Sequence, residues 1–401
     1  MTLFAFLGQV ISSDGSCRGA VLRVICERVA AGDAACSANT SNYVRARQRL
    51  SLEWIRTLCK RIGSGAEEIS RSPGDWFWKR RPIKLLDGST LLAADTPENR
   101  EAFPIHGKQK KEVGFPIIRV FALISLATGC VLDFAHAPFQ GKQTGELSMA
   151  RKLLPGLNPG DILLGDAMMD TFFFMAQVKS QGVDGLFEMR SQRAIDFRHG
   201  KRLGKGDRLV QIAKPQRPRW MSKEEYQSYP DSISIRIIQD GERTLITTLV
   251  DPREHSRREL RQLYSRRWSV ELDLRCIKDT MGMEMLRCKS PEMLEKEIWT
   301  YLLAYNLIRL TMAEAAQAHG KEPRRLSFKG AVQAINTFVP KIQLASESRK
   351  DVLYQTMLRV IASQEVGNRP GRKEPRAVKR RPKPFPRLNT SRQAWRDSIA
   401  A

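Results

Sequence analysis

At 401 residues the chain is too long for one simple core, and two to four folding units are expected. Lys and Arg outnumber Asp and Glu by 67 to 43, a net charge of +24 that points to a polyanionic partner, nucleic acid first. The seven cysteines form no Cys-x-x-Cys pair, no apolar run reaches membrane-spanning length, and the opening MTLFAFLGQVISSDG lacks the basic flank of a signal peptide, so a membrane protein and a disulfide scaffold are set aside in favour of a cytoplasmic protein.

Residues 1–75 read as a helical N-terminal domain. AVLRVICERVA carries apolar residues at helical spacing, and Ser51 caps a second stretch with Leu50 and Ile55 placed as a hydrophobic staple. Arg45, Arg47, Arg49, Arg56, Lys60 and Arg61 make this segment either a DNA-end-binding face or a solvated basic one. From about residue 80 the period shortens. RPIKLLDGSTLLAAD alternates as a strand with Ile83, Leu85, Asp87 and Ser89 on one face. FPIIRVFALISLATGCVLDFA reads as two strands about a turn near Thr128-Gly129. A helix in TGELSMARKLLPGL, a buried strand in GDILLGDAMM ending at Asp166, a helix in TFFFMAQVKSQG and a strand in DGLFEMR follow. Residues 76–190 thus form the first part of an α/β core with a mixed sheet.

Residues 191–255 break the pattern. A basic, Gly- and Pro-containing stretch leads into SISIRIIQDGERTLITTLV, two alternating strands about Asp240-Gly241, and the whole reads as a β-rich insertion. Helices resume at Ser256, and residues 256–345 are assigned to the second part of the core. Residues 346–401 hold a helix and a basic tail, whose Pro, Arg and Lys content leaves little to bury.

The segment LYSRRWSVELDLRCIKDTM carries the chemistry. On a helix at about 100° per residue, Tyr264, Arg267, Glu271 and Lys278 fall within about 60° of one another. Leu263, Val270, Leu274, Ile277 and Met281 form the adjacent apolar stripe. Arg267 and Glu271 are also an ordinary i,i+4 pair, and alone would be helix decoration. Asp87 and Asp166, however, both stand on strands expected to be sheet neighbours. Three carboxylates meeting at one strand end repel one another and call for a cation, and oxygen donors favour two Mg2+ (or Mn2+) ions acting on a phosphodiester. Asp95 and Asp170 rival Asp87 and Asp166; Asp95, ahead of Thr-Pro, reads more easily as a turn residue.

The spacing Tyr264-x2-Arg267-x3-Glu271-x6-Lys278 resembles the Tyr-Arg-Glu-Lys signature of bacterial DDE transposases of the insertion-sequence family four group. DGSTLLAADTPEN and GDILLGDAMM resemble the surroundings of that family's two catalytic aspartates. Asp166 is followed by Ala-Met-Met-Asp, a departure from the family's usual run. The resemblance implies an RNase H-like core flanked by helices and interrupted by a β insertion, and cut-and-paste transposition through a DNA hairpin. It implies Asp87, Asp166 and Glu271 as metal ligands, and Tyr264, Arg267 and Lys278 on DNA phosphates. Trp268 either stacks on a flipped base or packs in the core. Double-stranded DNA, at the element ends and the target, and a homodimer in the synaptic complex are the implied partners. ATP is not expected, since no Gly-x4-Gly-Lys-Ser/Thr loop occurs. Two other readings stay open: a metal-dependent nuclease on the same fold without strand transfer, and a DNA-binding remnant without catalysis.

Overall fold

Alternating apolar residues in Ile83–Leu92 make β1, the strand about which the molecule is ordered. The computed structural model describes all residues except 71–75, 108, 110–112, 192–199, 242, 368–384 and 401. The most basic part of the expected tail lies outside the described residues. β1 is followed by β2 (Ile117–Ser125), β3 (Val131–Pro138), β4 (Ile162–Gly165), β5 (Asp184–Glu188), β6 (Lys201–Gly204), β7 (Asp207–Ala213), β8 (Ser232–Asp240) and β9 (Arg243–Thr247). They form one nine-stranded sheet in the order β3-β2-β1-β4-β5-β9-β8-β7-β6. β1, β2 and β3 are an antiparallel meander, and β4 and β5 run parallel to β1 after crossovers through the helices Glu146–Leu153 and Phe172–Ser180. This is the RNase H-like arrangement, a mixed sheet flanked by helices.

The sheet separates two cores. Leu85, Leu91, Val120 and Leu164 face the helix Pro291–Ala318 and the Glu271-bearing segment. Leu86, Phe121, Leu163 and Phe187 face the helix Phe172–Ser180. By alternation along β1, Asp87 and Ser89 lie on the first of these faces.

The N-terminal helices Thr2–Ile11 and Leu52–Ser70 share the first core with the sheet. Asn306, fully buried, explains how: its Nδ2 donates to the carbonyls of Cys59 (3.0 Å) and Val131 (2.7 Å), and its Oδ1 accepts from the Val131 amide (2.8 Å). Lys84 of β1 makes a buried ion pair with Glu67. The basic face expected on these helices is correspondingly reduced. Arg47 is buried over the rings of Phe6 and Tyr43, Arg56 pairs with Glu295 and lies over Trp299, and Lys60 pairs with Asp133 at 2.8 Å. Arg45, Arg49 and Arg61 remain exposed.

The β-rich insertion is present, with two strands more than the sequence announced. β6 and β7 fall in the basic polar stretch, and β7 pairs along its full length with β8. The insertion is braced internally by a buried bidentate pair: Arg236 of β8 donates to both carboxylate oxygens of Asp207 on β7 (2.8 and 2.6 Å) and to the carbonyl of His255 at the insertion's end (2.5 Å). Arg257, the first residue of the next helix, donates to the carbonyls of Lys205 and Gln239. Among the described residues no helix is long and apolar enough to cross a membrane.

Candidate active site

Asp87 sits in the middle of β1, where Gly88 follows it for a steric reason: a Cβ at Gly88 would meet the Phe121 ring at 2.6 Å. The Gly88 amide instead donates to Asp87 Oδ1 at 2.8 Å. The parallel register of β1 and β4 pairs Leu85 with Leu164, and Asp87 and Asp166 each lie two residues further along. Asp166 is held where β4 turns into a short 3-10 helix, its Oδ1 accepting from the Met168 amide at 2.9 Å. Both rivals are otherwise engaged. Asp95 pairs with Arg100 near the surface, and Asp170 is buried and accepts the Arg190 amide at 3.0 Å.

The expected single helix is broken into segments: Arg257–Ser265, a 3-10 turn Arg266–Trp268, Ser269–Arg275 and a π turn Cys276–Thr280. Single π turns recur at functional positions because they rotate the side chains beyond them. The apolar stripe is as expected, with Leu263, Val270, Leu274, Ile277 and Met281 in the first core. The start of the segment is a capping box between Ser256 and Glu259. Its far end is held by Asp273, whose fully buried carboxylate accepts from Arg309 (2.6 Å) and Arg324 (2.6 and 2.7 Å). Arg324 also donates to the carbonyls of Ser125 and Leu126 at the end of β2, both at 2.8 Å.

These anchors bring the chemistry together. The Arg267 guanidinium lies between Asp87 Oδ2 (3.3 Å) and Glu271 Oε1 (3.1 Å). Burial pushes the Asp87 carboxyl up to about 6; Asp166 and Glu271 push the same way, against the Gly88 amide and Arg267. Burial works against the charge on Arg267, but Tyr264, Asp87 and Glu271 outweigh it and its pKa is raised. Lys278 reaches back from the π turn to Ser89 Oγ at 3.3 Å. Trp268, half exposed at 48 %, is not a core residue. Tyr264 is the exception among the expected DNA contacts. It is buried, and its hydroxyl faces the Gly165 carbonyl at 3.2 Å and Glu188 Oε2 at 3.4 Å.

Ser89 and Glu188 were not among the residues picked from the sequence. Both obey the rule that singled out Asp87 and Asp166: Ser89 shares the Asp87 face of β1, and Glu188 ends a strand parallel to β4. The cation between Asp87 and Glu271 is the chain's own Arg267. Among the described residues no group of three or more His, Cys, Asp or Glu is clustered tightly enough to enclose an ion. In donor type Asp87, Asp166 and Glu271 fit a hard divalent ion, being oxygen ligands whose neighbourhood already seats a positive charge.

The transposase DDE domain family model matches residues 78–307, more than half the chain, and spans Asp87, Asp166 and Glu271. The chain is 26 % identical over 354 residues to the transposase InsG for insertion sequence element IS4 of Escherichia coli (strain K12), covering 86 % of this chain and 78 % of that protein. It is distantly similar in structure to the piggyBac transposase in a synaptic complex with hairpin DNA, with a TM-score of 0.43 and 9 % identity over 73 % of this chain. The chain spans 59 % of the length of that transposase, a likeness too remote to bear on the chemistry. With the family model laid across the whole mixed sheet and the Arg267–Glu271 segment, this chain belongs to the DDE transposase family.

Proposed function

We propose that this chain is a DNA transposase that cuts an insertion sequence from its flanks and joins it to target DNA, acting as a homodimer that synapses two ends in the bacterial cytoplasm. Asp87, Asp166 and Glu271 are the proposed ligands of two Mg2+ or Mn2+ ions. The ions, when bound, supply Lewis-acid stabilisation to the attacking and leaving oxygens of an in-line displacement. The carrying observation is the shared electrostatics of the three acids: Arg267 bridges Asp87 and Glu271, and Asp166 acts on Asp87.

The chain's own residues account for the rest. Arg267 and Lys278 lie on the Asp87 side of the sheet, each partly accessible, where a guanidinium offers a bidentate fork to a phosphate and an ammonium a point charge. The exposed Trp268 ring, next to Arg267, offers a face on which a base displaced by a hairpin bend can stack. Hydrolysis at the element end, hairpin formation and opening, and attack of the same 3′-OH on target DNA form the proposed sequence. Each transesterification conserves the phosphodiester, so no nucleotide hydrolysis is required.

The test is a cleavage and joining assay on labelled DNA carrying the sequences that flank the gene, with Mg2+ and with EDTA. Excision and joining of the labelled 3′-OH end to plasmid are expected in Mg2+ alone. Cleavage without joining would leave a nuclease, and binding without either would leave a remnant. Arg267→Ala is expected to slow every DNA-dependent step and to lower the slope of log K against log salt by about 1. A variant that cleaves at the wild-type rate across salt concentrations removes Arg267 from the phosphate.

A further inference from the structure

The resemblance puts Tyr264 on DNA, yet its ring is 5 % exposed and its hydroxyl lies between two acceptors of the protein itself. We infer that Tyr264 is a positioning residue: with Glu188 as its partner, it fixes the end of β4 that presents Asp166. The inference rests on the proposed ligand role of Asp166 and adds to the site a carboxylate that the signature does not contain.

The argument is geometric. β4 and β5 are parallel, with Gly165 paired to Phe187, so Asp166 and Glu188 are the next residues on adjacent strands. The phenol closes the gap across both strand ends. Its single hydrogen is shared between the Gly165 carbonyl, one peptide before Asp166, and the Glu188 carboxylate. On its other side the Gly165 backbone is pinned by Met169, whose sulfur would lie 2.1 Å from any Cβ. The turn that follows is closed by Asp166 accepting the Met168 amide. A carbonyl held from one side by Tyr264, and a backbone packed from the other by Met169, leave Asp166 little freedom. Tyr264 also stands three residues before Arg267, so one short stretch of chain aligns Asp166 while delivering the cation to Asp87 and Glu271. A phosphate contact would require this buried hydroxyl to leave both acceptors.

The test uses the full chain and three readouts. In Tyr264→Phe, the amides of the turn 167–170 are expected to exchange with solvent about fivefold faster without any metal, the effect of one lost hydrogen bond. Mn2+ affinity, read from the free-ion paramagnetic resonance signal, should fall about tenfold, as when a group that orients a ligand is removed. Affinity for a short labelled duplex, measured without metal, should stay at the wild-type value. Glu188→Gln and Glu188→Leu, which keep the phenol bond to the Gly165 carbonyl, should move the first two readouts the same way but by less than Tyr264→Phe, the leucine by more than the glutamine. Unchanged exchange at 167–170, or a duplex affinity lowered about tenfold with Mn2+ affinity intact, overturns the inference in favour of a phosphate contact. A wild-type chain that binds no Mn2+ defeats the ligand reading instead, and the exchange result then decides the role of Tyr264 alone.

Discussion

Asp87→Asn is expected to do two opposite things: cut Mg2+-dependent DNA cleavage by about a thousandfold or more, and make the metal-free protein more stable at neutral pH. The first follows if Asp87 is a ligand, because an amide brings no charge to a divalent ion and ligands acting as a unit fail together. The second follows from the carboxyl's environment. Its ordinary value is 3.8, and in the folded chain burial raises it to about 6. Between those values the folded protein holds the proton more tightly than the unfolded one. The cost of ionising Asp87 is therefore absent below about pH 4, grows as pH rises through 6, and is complete above it, at up to about 3 kcal/mol. Asparagine mimics the neutral acid and keeps an acceptor for the Gly88 amide, so the variant should gain about 1–3 kcal/mol at pH 8 in EDTA and little near pH 4. Denaturation curves at the two pH values check this. A variant less stable than wild type at pH 8 would mean that the attraction to Arg267 outweighs burial.

Asp273→Ala should produce the largest loss of stability of any single change near the site, about 3–5 kcal/mol. Its carboxylate is wholly buried and is the partner of both Arg309 and Arg324, which are themselves largely buried. Removing it strands two guanidiniums in a low-dielectric interior, and their remaining acceptors, the Tyr305 hydroxyl for Arg309 and the carbonyls of Ser125 and Leu126 for Arg324, carry no full charge. The comparison is Lys60→Ala, which deletes an ion pair whose lysine is nearly half exposed and should cost less than about 1 kcal/mol. Urea titrations of the two variants measure the difference. Similar midpoints would show that the Asp273 cluster is hydrated or redundant. Because Asp273 is two residues from Glu271, its loss should also disorder the acid-bearing segment before the sheet unfolds.

The strands of the core were legible because each satisfies one simple pattern. β1 alternates, β2 and β3 flank a Thr-Gly turn, and β4 is a short apolar run bounded by Gly-Asp on both sides. β6 and β7 were not, since β6 holds a single apolar residue and β7 lays only the partly buried Val210 and Ile212 on the second core, so each is specified mainly by the strand it pairs with. The helix carrying Glu271 was found by its stripe, but its division into α, 3-10 and π turns depends on contacts outside it, such as the strand-like run of Met285 beside Leu92. The N-terminal arginines show the same limit. Nothing in the order Arg47, Arg49, Arg56 says that the first and last stack on aromatic rings while the middle one meets water. Within the site, the carboxylates on β1, β4 and the helix could be read from position. The engagement of the Tyr264 hydroxyl by the protein could not, because it depends on how closely β4 and β5 bring their ends together.

The continuity of the nine strands has a cost for anyone who would whittle this molecule down. β5 is paired on one side by β4 and on the other only by β9, which belongs to the insertion. Excising 191–255 would bare the backbone amides and carbonyls of a buried central strand, a ready template for cross-chain stacking. A trimmed variant should therefore elute from gel filtration as large oligomers, so the nuclease half is not a portable module: any lineage that sheds the insertion must find its β5 another neighbour.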